Sequence, residues 1–177
     1  MNPNLHAVLE EVFSQARLQS QERILVVGCG DGEVCRWLAP RIEDGLIIGL
    51  DPSDDCVREA RAKSTAFENI MYLWASPEQI PWQENFFTIV LCVIPYSANA
   101  DLEKVIIEFA RVVEPGGALW LVTQEGRKIS AGDGVQPVND YLTLLAGFGF
   151  EAIVCRDAAL LISARKVVSA NSPPEVS

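Results

Sequence analysis

Apolar residues in this chain occur in short runs that alternate with stretches of helical spacing. The runs are rich in β-branched and aromatic residues, which is typical of strands buried in a sheet. They predict strands at Ile24–Val27, Leu46–Leu50, Ile70–Trp74, Phe86–Cys92, Ala118–Thr123, Phe150–Cys155 and Leu160–Ala164. Between the runs, apolar residues recur at the period of an amphipathic helix. These stretches predict helices over residues 4–19, Glu33–Pro40, Asp54–Lys63, 102–113 and Val138–Gly147.

The order of these elements predicts an α/β fold. Strands alternate with helices through the first five strands, as in a doubly wound, mostly parallel, Rossmann-like sheet of seven strands with helices on both faces. The last two strands follow each other directly and predict a hairpin at a sheet edge. Residues 1–20 are expected to form a helix that packs on the core, residues 21–168 one α/β domain, and residues 169–177 a disordered tail.

Composition narrows the range of partners. The chain of 177 residues has a formal net charge of −10 and is 49% hydrophobic. An acidic surface opposes non-specific binding to nucleic acid or anionic membranes, so we expect neither as a partner. No run approaches the length of a membrane span and nothing at the N-terminus indicates export. We therefore expect a cytoplasmic protein, either monomeric or homodimeric.

The cysteine pattern indicates reduced thiols. The chain has five cysteines, an odd number, and no two of them are in CxxC spacing. Most lie in or beside predicted strands and helices, where a free cysteine packs as a small hydrophobic residue. We expect neither disulfides nor a metal site, in keeping with a reducing compartment.

The stretch Arg23–Gly32, RILVVGCGDG, is the first candidate for a binding site. Gly28, Gly30 and Gly32 fall at alternate positions, directly after a predicted strand and before a predicted helix. Because glycine has no Cβ, such a loop can turn sharply and let a ligand lie against its backbone. The backbone N–H groups and the positive end of the helix then favour a polar or anionic ligand group. A tight turn without a ligand is the alternative.

The spacing of the glycines disfavours a dinucleotide. A dinucleotide fingerprint reads G-x-G-x-x-G, and its third glycine would fall at position 33. This chain has Glu33 there, and its own pattern is G-x-G-x-G. The loop alone leaves the ligand-binding and purely structural readings close to each other.

Asp51 favours a ligand. It ends the second predicted strand, 19 residues beyond Gly32 (51 − 32 = 19). In nucleotide-binding α/β units an acid at about this distance accepts hydrogen bonds from ribose hydroxyls. Asp is also common in turns before a proline, and Pro52 follows. Since Ser53 is already placed to cap the next helix, we favour the ribose role.

Four segments follow the ends of predicted parallel strands. They are Gly28–Gly32, Asp51, Ala75–Pro77 and Cys92–Tyr96. Ligands of such sheets bind beyond the carboxyl ends of the strands, where the strand order reverses. The sequence therefore predicts that these four segments meet in one crevice.

The same segments, in the same order, resemble the class I S-adenosylmethionine-dependent methyltransferases. The resemblance covers residues 23–166 and lies in VVGCGDG, GLDPS, ASPEQIPW with FFTIVLCVIPY, and RVVEPGGALWLV. It implies S-adenosylmethionine as the cofactor and a sheet whose last strand is antiparallel. The glycine loop would lie against the methionine part, the acid would bind the ribose, and the loop after the third strand would flank the adenine. The implied cofactor-binding residues are Gly28, Cys29, Gly30, Gly32, Asp51, Pro52, Ser76, Pro77 and Cys92.

Two positions depart from the family pattern. The family usually has an acid two places before the first loop glycine, where it helps to hold the cofactor's ammonium group, and this chain has Val26. The loop after the third strand often carries an acid that accepts from the adenine amino group, and this chain has Ser76. Each change would weaken cofactor binding by about 1–3 kcal/mol, the range for a hydrogen bond to a charged group.

The implied reaction is direct displacement, in which a substrate nucleophile attacks the sulfonium methyl group in line. Short insertions favour a small-molecule acceptor. Tyr96 is the best candidate for touching that substrate, with a half-buried packing tyrosine as the alternative, and no catalytic residue is assigned. Two other functions stay open: a protein that binds S-adenosylmethionine or S-adenosylhomocysteine without turnover, and, less favoured because of Glu33, an NAD-dependent oxidoreductase.

Overall fold

The predicted strands form one sheet in a computed structural model, which describes residues 6–7, 9–10, 13–14, 18–94, 101–123, 138–156 and 161–168. Within these residues the strands are β1 (Arg23–Val27), β2 (Leu46–Asp51), β3 (Ile70–Trp74), β4 (Phe87–Ile94), β5 (Val113–Thr123), β6 (Phe150–Arg156) and β7 (Leu161–Lys166). They lie in the order β3-β2-β1-β4-β5-β7-β6. The first five pair in parallel, whereas β7 is antiparallel to both of its neighbours. The predicted fold class, the terminal hairpin and the antiparallel last strand are therefore confirmed.

Helices connect the parallel strands. They are α1 (Glu33–Leu38), α2 (Asp54–Lys63), α3 (Leu102–Val112) and α4 (Val138–Gly147). The helix predicted to continue to Pro40 ends as an α-helix at Leu38, and a 3-10 turn, Ala39–Arg41, follows it. Proline has no N–H to donate within a helix, so Pro40 ends the regular hydrogen-bond pattern.

Side-chain caps fix the starts of α2 and α3. Ser53 Oγ accepts a hydrogen bond from the backbone N–H of Cys56 at 3.3 Å. Asp101 Oδ1 accepts one from the backbone N–H of Lys104 at 3.3 Å. Each cap satisfies an N–H that has no partner within its helix, and such a cap typically contributes about 1 kcal/mol. The predicted Ser53 cap is confirmed.

Strand β5 begins at Val113 and not at the predicted Ala118, because residues 114–117 lie within it as an irregularity. Val113 pairs with Phe87 and Ala118 with Ile89, so the intervening residues of β5 bulge out of the ladder. Gly116 has a φ of 82°, a conformation that glycine adopts without strain. A bulge of this kind keeps the strand continuous while absorbing extra residues.

The core consists of two apolar layers, one on each face of the sheet. One layer packs beneath α1 and α2 and includes Ile24, Val26, Cys35, Val57 and Tyr72. The other packs beneath α3 and α4 and includes Leu25, Val27, Val90, Phe109 and Tyr141. Alternate residues of β1 therefore face opposite layers, as expected for a strand buried on both faces.

The N-terminal segment packs against the first layer. Its described residues are helical, and Leu9 and Phe13 are buried. The Phe13 ring lies 4.9 Å from the ring of Trp120, edge to face, and 5.4 Å from that of Trp37. Such aromatic pairs stabilise beyond simple burial. Among the described residues, no helix is both long and apolar enough to cross a membrane.

Replacement of Phe109 by alanine tests the second layer. The side chain is fully buried on α3, so Phe109→Ala should lower the free energy of unfolding by about 3–5 kcal/mol. Ile107, on the same helix, is 41% exposed, and Ile107→Ala is the matched control with a change below about 1 kcal/mol. Urea denaturation measures both. Equal losses would show that the assigned face of α3 is wrong.

Candidate active site

As far as residue 94 in the last of them, the four predicted segments follow the carboxyl ends of the adjacent parallel strands β3, β2, β1 and β4, and the strand order reverses between β1 and β4. The backbone N–H of Gly28 donates to the carbonyl of Leu50 at 2.9 Å, which ties the glycine loop to the end of β2. The N–H of Ala75 donates to the carbonyl of Asp51 at 3.2 Å, which ties β2 to the segment after β3. A Cβ on Gly28 would lie 2.7 Å from the carbonyl oxygen of Val93, so the loop also touches the end of β4.

The three loop glycines serve different purposes. Gly28 has a φ of 73° and leaves room for the backbone of β4. Gly32 has a φ of 81°, and a Cβ there would overlap the hydroxyl group of Tyr72. Gly30 also has a positive φ, 53°, but a Cβ there would meet none of the described residues within 4 Å. Of the three loop glycines, Gly30 is therefore the one beside which the described part of the chain leaves open space.

Asp51 joins the glycine loop to the turn after β2. Its side chain is buried, with 8% exposed, and Oδ2 accepts a hydrogen bond from the N–H of Gly30 at 2.9 Å. Oδ1 accepts one from the N–H of Ser53, also at 2.9 Å. A carboxylate has about four acceptor positions, so these two bonds leave capacity for hydroxyl donors. The carboxylate thus performs the turn role considered as the alternative, and the ribose role stays a prediction.

Asp31 anchors the other side of the loop through charge. Its carboxylate lies 2.7 Å from Lys63 Nζ and 3.5 Å from Arg36 Nη2. Partial burial opposes ionisation, but the hydrogen bond and charge of Lys63, together with Arg36, keep the pKa of Asp31 below its ordinary value. This carboxylate is therefore committed to the protein's own cations.

The cysteines near the loop are packing residues. Cys29 is 5% exposed and its thiol lies 3.8 Å from the carbonyl oxygen of Gly30. A hydrogen bond with Cys35 and burial raise the pKa of Cys29, so its side chain stays a thiol. Cys92 is completely buried in the second layer, so only its backbone could meet a ligand. No metal-binding group of three or more His, Cys, Asp or Glu occurs among the described residues.

The predicted adenine-side residues lie on the opposite flank of Asp51. Pro52 and Ser76 are exposed, whereas Pro77 is buried. Ser76 Oγ accepts a hydrogen bond from the N–H of Glu78 at 3.2 Å, so part of its capacity serves the loop itself. Trp74, at the end of β3, is 65% exposed because β3 is an edge strand. Its indole N–H donates to the carbonyl of Pro52 at 3.0 Å.

An ion pair on α3 holds the loop after β3 at Ile80 and Trp82. This loop is the one predicted to flank the adenine and is called the adenine-side loop below. Arg111 donates to the carbonyls of Trp82 and Ile80 at 2.7 and 2.8 Å. Glu108 binds the same guanidinium through both carboxylate oxygens at 2.7 Å and accepts from the N–H of Ile80 at 2.7 Å. Sequence reasoning missed both residues. The available signal was their spacing of three on a helix, which brings opposite charges together.

Three further positions bear on the predicted site. Val26 is fully buried in the first layer, and as predicted this position offers no carboxylate to an ammonium group. Tyr96 and residues 124–137 lie outside the described residues. His6, the chain's one histidine, is 3.7 Å from Glu10 and edge-on to the ring of Trp37 at 5.8 Å. No described residue is therefore assigned a catalytic role.

Comparison with known proteins identifies the family. Residues 24–117 match the family model described as "Methyltransferase domain". The chain is 27% identical over 113 residues to the uncharacterized methyltransferase YcgJ of Bacillus subtilis, which covers 63% of this chain and 44% of that protein. It is 28% identical over 124 residues to the ubiquinone/menaquinone biosynthesis C-methyltransferase UbiE of Rickettsia bellii, which covers 66% of this chain and 50% of that protein.

Solved structures share the architecture. The crystal structure of B. subtilis YcgJ has a TM-score of 0.77 at 16% identity and covers 93% of this chain and 100% of that one. A SAM-dependent methyltransferase from Aquifex aeolicus has a TM-score of 0.76 at 20% identity and covers 89% of each chain. At these identities the likeness shows the fold alone.

The chain belongs to the methyltransferase domain family, within the class I S-adenosylmethionine-dependent methyltransferases. It spans about half the length of the curated relatives it matches. Family membership implies S-adenosylmethionine as the ligand of the crevice described above, while the acceptor is a separate question.

The Glu108–Arg111 pair predicts a dependence of stability on pH. The hydrogen bonds from Arg111 keep the pKa of Glu108 below its ordinary value, so the folded state favours the carboxylate. This stabilisation is complete above the unfolded pKa of about 4.3 and is lost as the pH falls through the lower folded pKa. In urea denaturation between pH 7 and pH 3, the stability loss of Glu108→Gln should therefore be largest at neutral pH and shrink toward acid.

Glu103→Gln is the control for this titration. Glu103 is an exposed residue of the same helix, and its replacement should change the free energy of unfolding by less than about 0.5 kcal/mol. A constant difference between native protein and Glu108→Gln at all pH values would contradict the assigned ion pair.

Proposed function

We propose that this chain transfers the methyl group of S-adenosylmethionine to a small-molecule acceptor by direct displacement. The observation that carries the proposal is the meeting of an open glycine backbone with a buried carboxylate. Gly30 faces open space, and its N–H lies 2.9 Å from Asp51 Oδ2 at the carboxyl end of the parallel strands. This juxtaposition suits a ligand that combines a polar chain with a ribose.

The residues present fit the cofactor. The backbone at Gly30 would hold its methionine part, because a side chain there would occupy the space it needs. Asp51 would accept from the ribose hydroxyls, and the exposed Pro52 and Ser76 would flank the adenine. When bound, the cofactor supplies a methyl group that is already activated by its sulfonium. The protein's own task is to orient the two reactants and exclude water.

A small-molecule acceptor is supported by charge and by relatives. The net charge of −10 opposes a nucleic-acid acceptor. The Rickettsia UbiE relative is named for quinone biosynthesis, which is small-molecule chemistry.

A cytoplasmic location is part of the proposal and is supported by free, buried thiols at Cys29, Cys35 and Cys92. Neither a nucleic acid nor a membrane is proposed as partner, and a monomer or homodimer suffices.

Binding without turnover is the second candidate. Val26 supplies no charge to an ammonium group, and Ser76 Oγ already accepts from Glu78. Both observations favour weaker cofactor binding than a full set of family residues would give. An NAD-dependent oxidoreductase is a third possibility, which Glu33 disfavours because that position would need glycine.

Calorimetry with S-adenosylhomocysteine, S-adenosylmethionine and NAD tests the proposal. The native chain should bind the two adenosyl ligands, and Asp51→Asn should weaken binding at least about tenfold, the effect of losing a hydrogen bond to a charged group. Asp55→Asn, at a side chain that is 85% exposed on α2, is the matched control and should bind like the native chain. Binding of NAD alone would overturn the proposal. Tight adenosyl binding without methyl transfer to a broad metabolite panel would favour the second candidate.

Gly30→Val tests the approach of the ligand to the loop. The change should block S-adenosylhomocysteine binding, because the new side chain fills the open space beside the backbone. Gly149→Val is the control: Gly149 has a φ of 81° and also no neighbour within 4 Å of a Cβ, but it lies before β6. Both variants pay a similar backbone strain of about 1–2 kcal/mol. Equal ligand affinity in the two variants would show that the ligand does not approach Gly30.

A further inference from the structure

Tyr72 occupies space that a glycine in the neighbouring strand leaves free. It lies in β3 opposite Gly49 of β2, and its side chain is buried, with 6% exposed. A Cβ on Gly49 would lie 2.5 Å from Tyr72 Cδ1 and 2.6 Å from Tyr72 Cε1. Both distances are shorter than the van der Waals contact between two carbon atoms. The glycine within this strand is therefore explained by the aromatic ring that lies over it.

The hydroxyl of the same side chain reaches the glycine loop. Tyr72 Oη lies 3.5 Å from the carbonyl oxygen of Gly32 and 2.8 Å from Ser64 Oγ. A Cβ on Gly32 would overlap this hydroxyl. Burial raises the pKa of Tyr72, so the hydroxyl stays protonated and can donate. One side chain thus fills the gaps left by two glycines, Gly32 and Gly49, that are distant in the chain.

The backbone of the loop is held from several sides. The N–H of Gly32 donates to the carbonyl of Cys29 at 2.9 Å, and the carbonyl of Gly32 accepts from the N–H of Arg36 at 3.0 Å. The N–H groups of Gly28 and Cys29 donate to the carbonyl of Leu50, and the N–H of Gly30 donates to Asp51. Gly32, at the far end of the loop, has a left-handed conformation and lies against the Tyr72 hydroxyl.

We propose that Tyr72 is a positioning residue for the cofactor: its hydroxyl supports Gly32 and thereby holds the loop in the shape that presents Gly30 to the ligand. The effect on ligand affinity rests on the proposed function, which names the ligand. The effect on the order of the glycine loop does not depend on that function. The ring and the hydroxyl have separable roles, because the ring fills the space over Gly49, whereas the hydroxyl is the part of the side chain that can donate a hydrogen bond to the loop.

Tyr72→Phe separates these roles, since it keeps the ring and removes only the hydroxyl. Ser64→Ala is the matched control, because it removes the other partner of that hydroxyl and leaves the loop contact in place. Hydrogen–deuterium exchange of a peptide covering residues 28–33 reports loop order in the free protein, since five of its amides are hydrogen-bonded there, those of Gly28, Cys29, Gly30, Gly32 and Glu33. Calorimetry with S-adenosylhomocysteine reports the site, and urea denaturation reports global stability.

We expect Tyr72→Phe to accelerate exchange in the 28–33 peptide and to raise the dissociation constant about three- to tenfold, the range for one neutral hydrogen bond. Ser64→Ala should stay within about twofold in both measurements even if it lowers stability as much. Gly49→Ala should reproduce the Tyr72→Phe effects from the opposite side, because its methyl group displaces the ring without touching the loop. It also provides the test if Tyr72→Phe does not fold.

The outcomes are distinct for the two proposals. Native binding with unchanged exchange and affinity in Tyr72→Phe overturns the positioning role and leaves the proposed function standing. Faster exchange with unchanged affinity also overturns it, because the loop shape would then not matter to the ligand. No binding of either adenosyl ligand by the native chain overturns the proposed function, and faster exchange in Tyr72→Phe would still establish that Tyr72 orders the loop.

Discussion

The bridge from the Asp51 carboxylate to the N–H groups of Gly30 and Ser53 is the interaction on which the site depends. Parallel pairing places Val27 beside Leu50, so β1 and β2 end next to each other at the same edge of the sheet. The backbone N–H groups of the glycine loop and of the turn after β2 need hydrogen-bond acceptors where water is excluded. The buried Asp51 carboxylate accepts a hydrogen bond from one N–H group of each segment, and thereby holds the glycine loop against the end of β2. A residue expected to bind a ligand is therefore also part of the local fold.

Other supports come from elements that do not themselves face the crevice. Tyr72 lies beneath the far end of the glycine loop, and the Lys63–Asp31 pair ties the same loop to α2. The Glu108–Arg111 pair performs the equivalent task for the adenine-side loop from the opposite face of the sheet. Binding geometry on loops is precise only when neighbouring packed elements restrict those loops. Both layers of the core thus contribute to one site.

Local patterns predicted the elements well, whereas contacts between distant residues were beyond them. The apolar runs, the Ser53 and Asp101 caps and the meeting of strand ends follow from nearest neighbours and from sheet topology. The separate roles of the loop glycines do not, because they depend on Val93 and Tyr72, which are far away in sequence. The exposure of Trp74 likewise follows from the edge position of β3, which periodicity does not encode. Glycine spacing alone cannot reveal which glycine faces a ligand.

The two departures from the family pattern bear on affinity more than on the chemical step. Val26 and Ser76 stand where the family often has acids that hold the ammonium and adenine groups of the cofactor. Those groups do not change during methyl transfer, so contacts to them are the same in the ground state and the transition state. Losing such contacts raises KM and leaves kcat nearly unchanged, whereas kcat depends on how the reacting atoms are aligned. The open backbone at Gly30, the Asp51 bridge and the supports beneath them are all present. Under the proposed function, the two departures therefore predict a higher KM and do not by themselves predict an inactive protein.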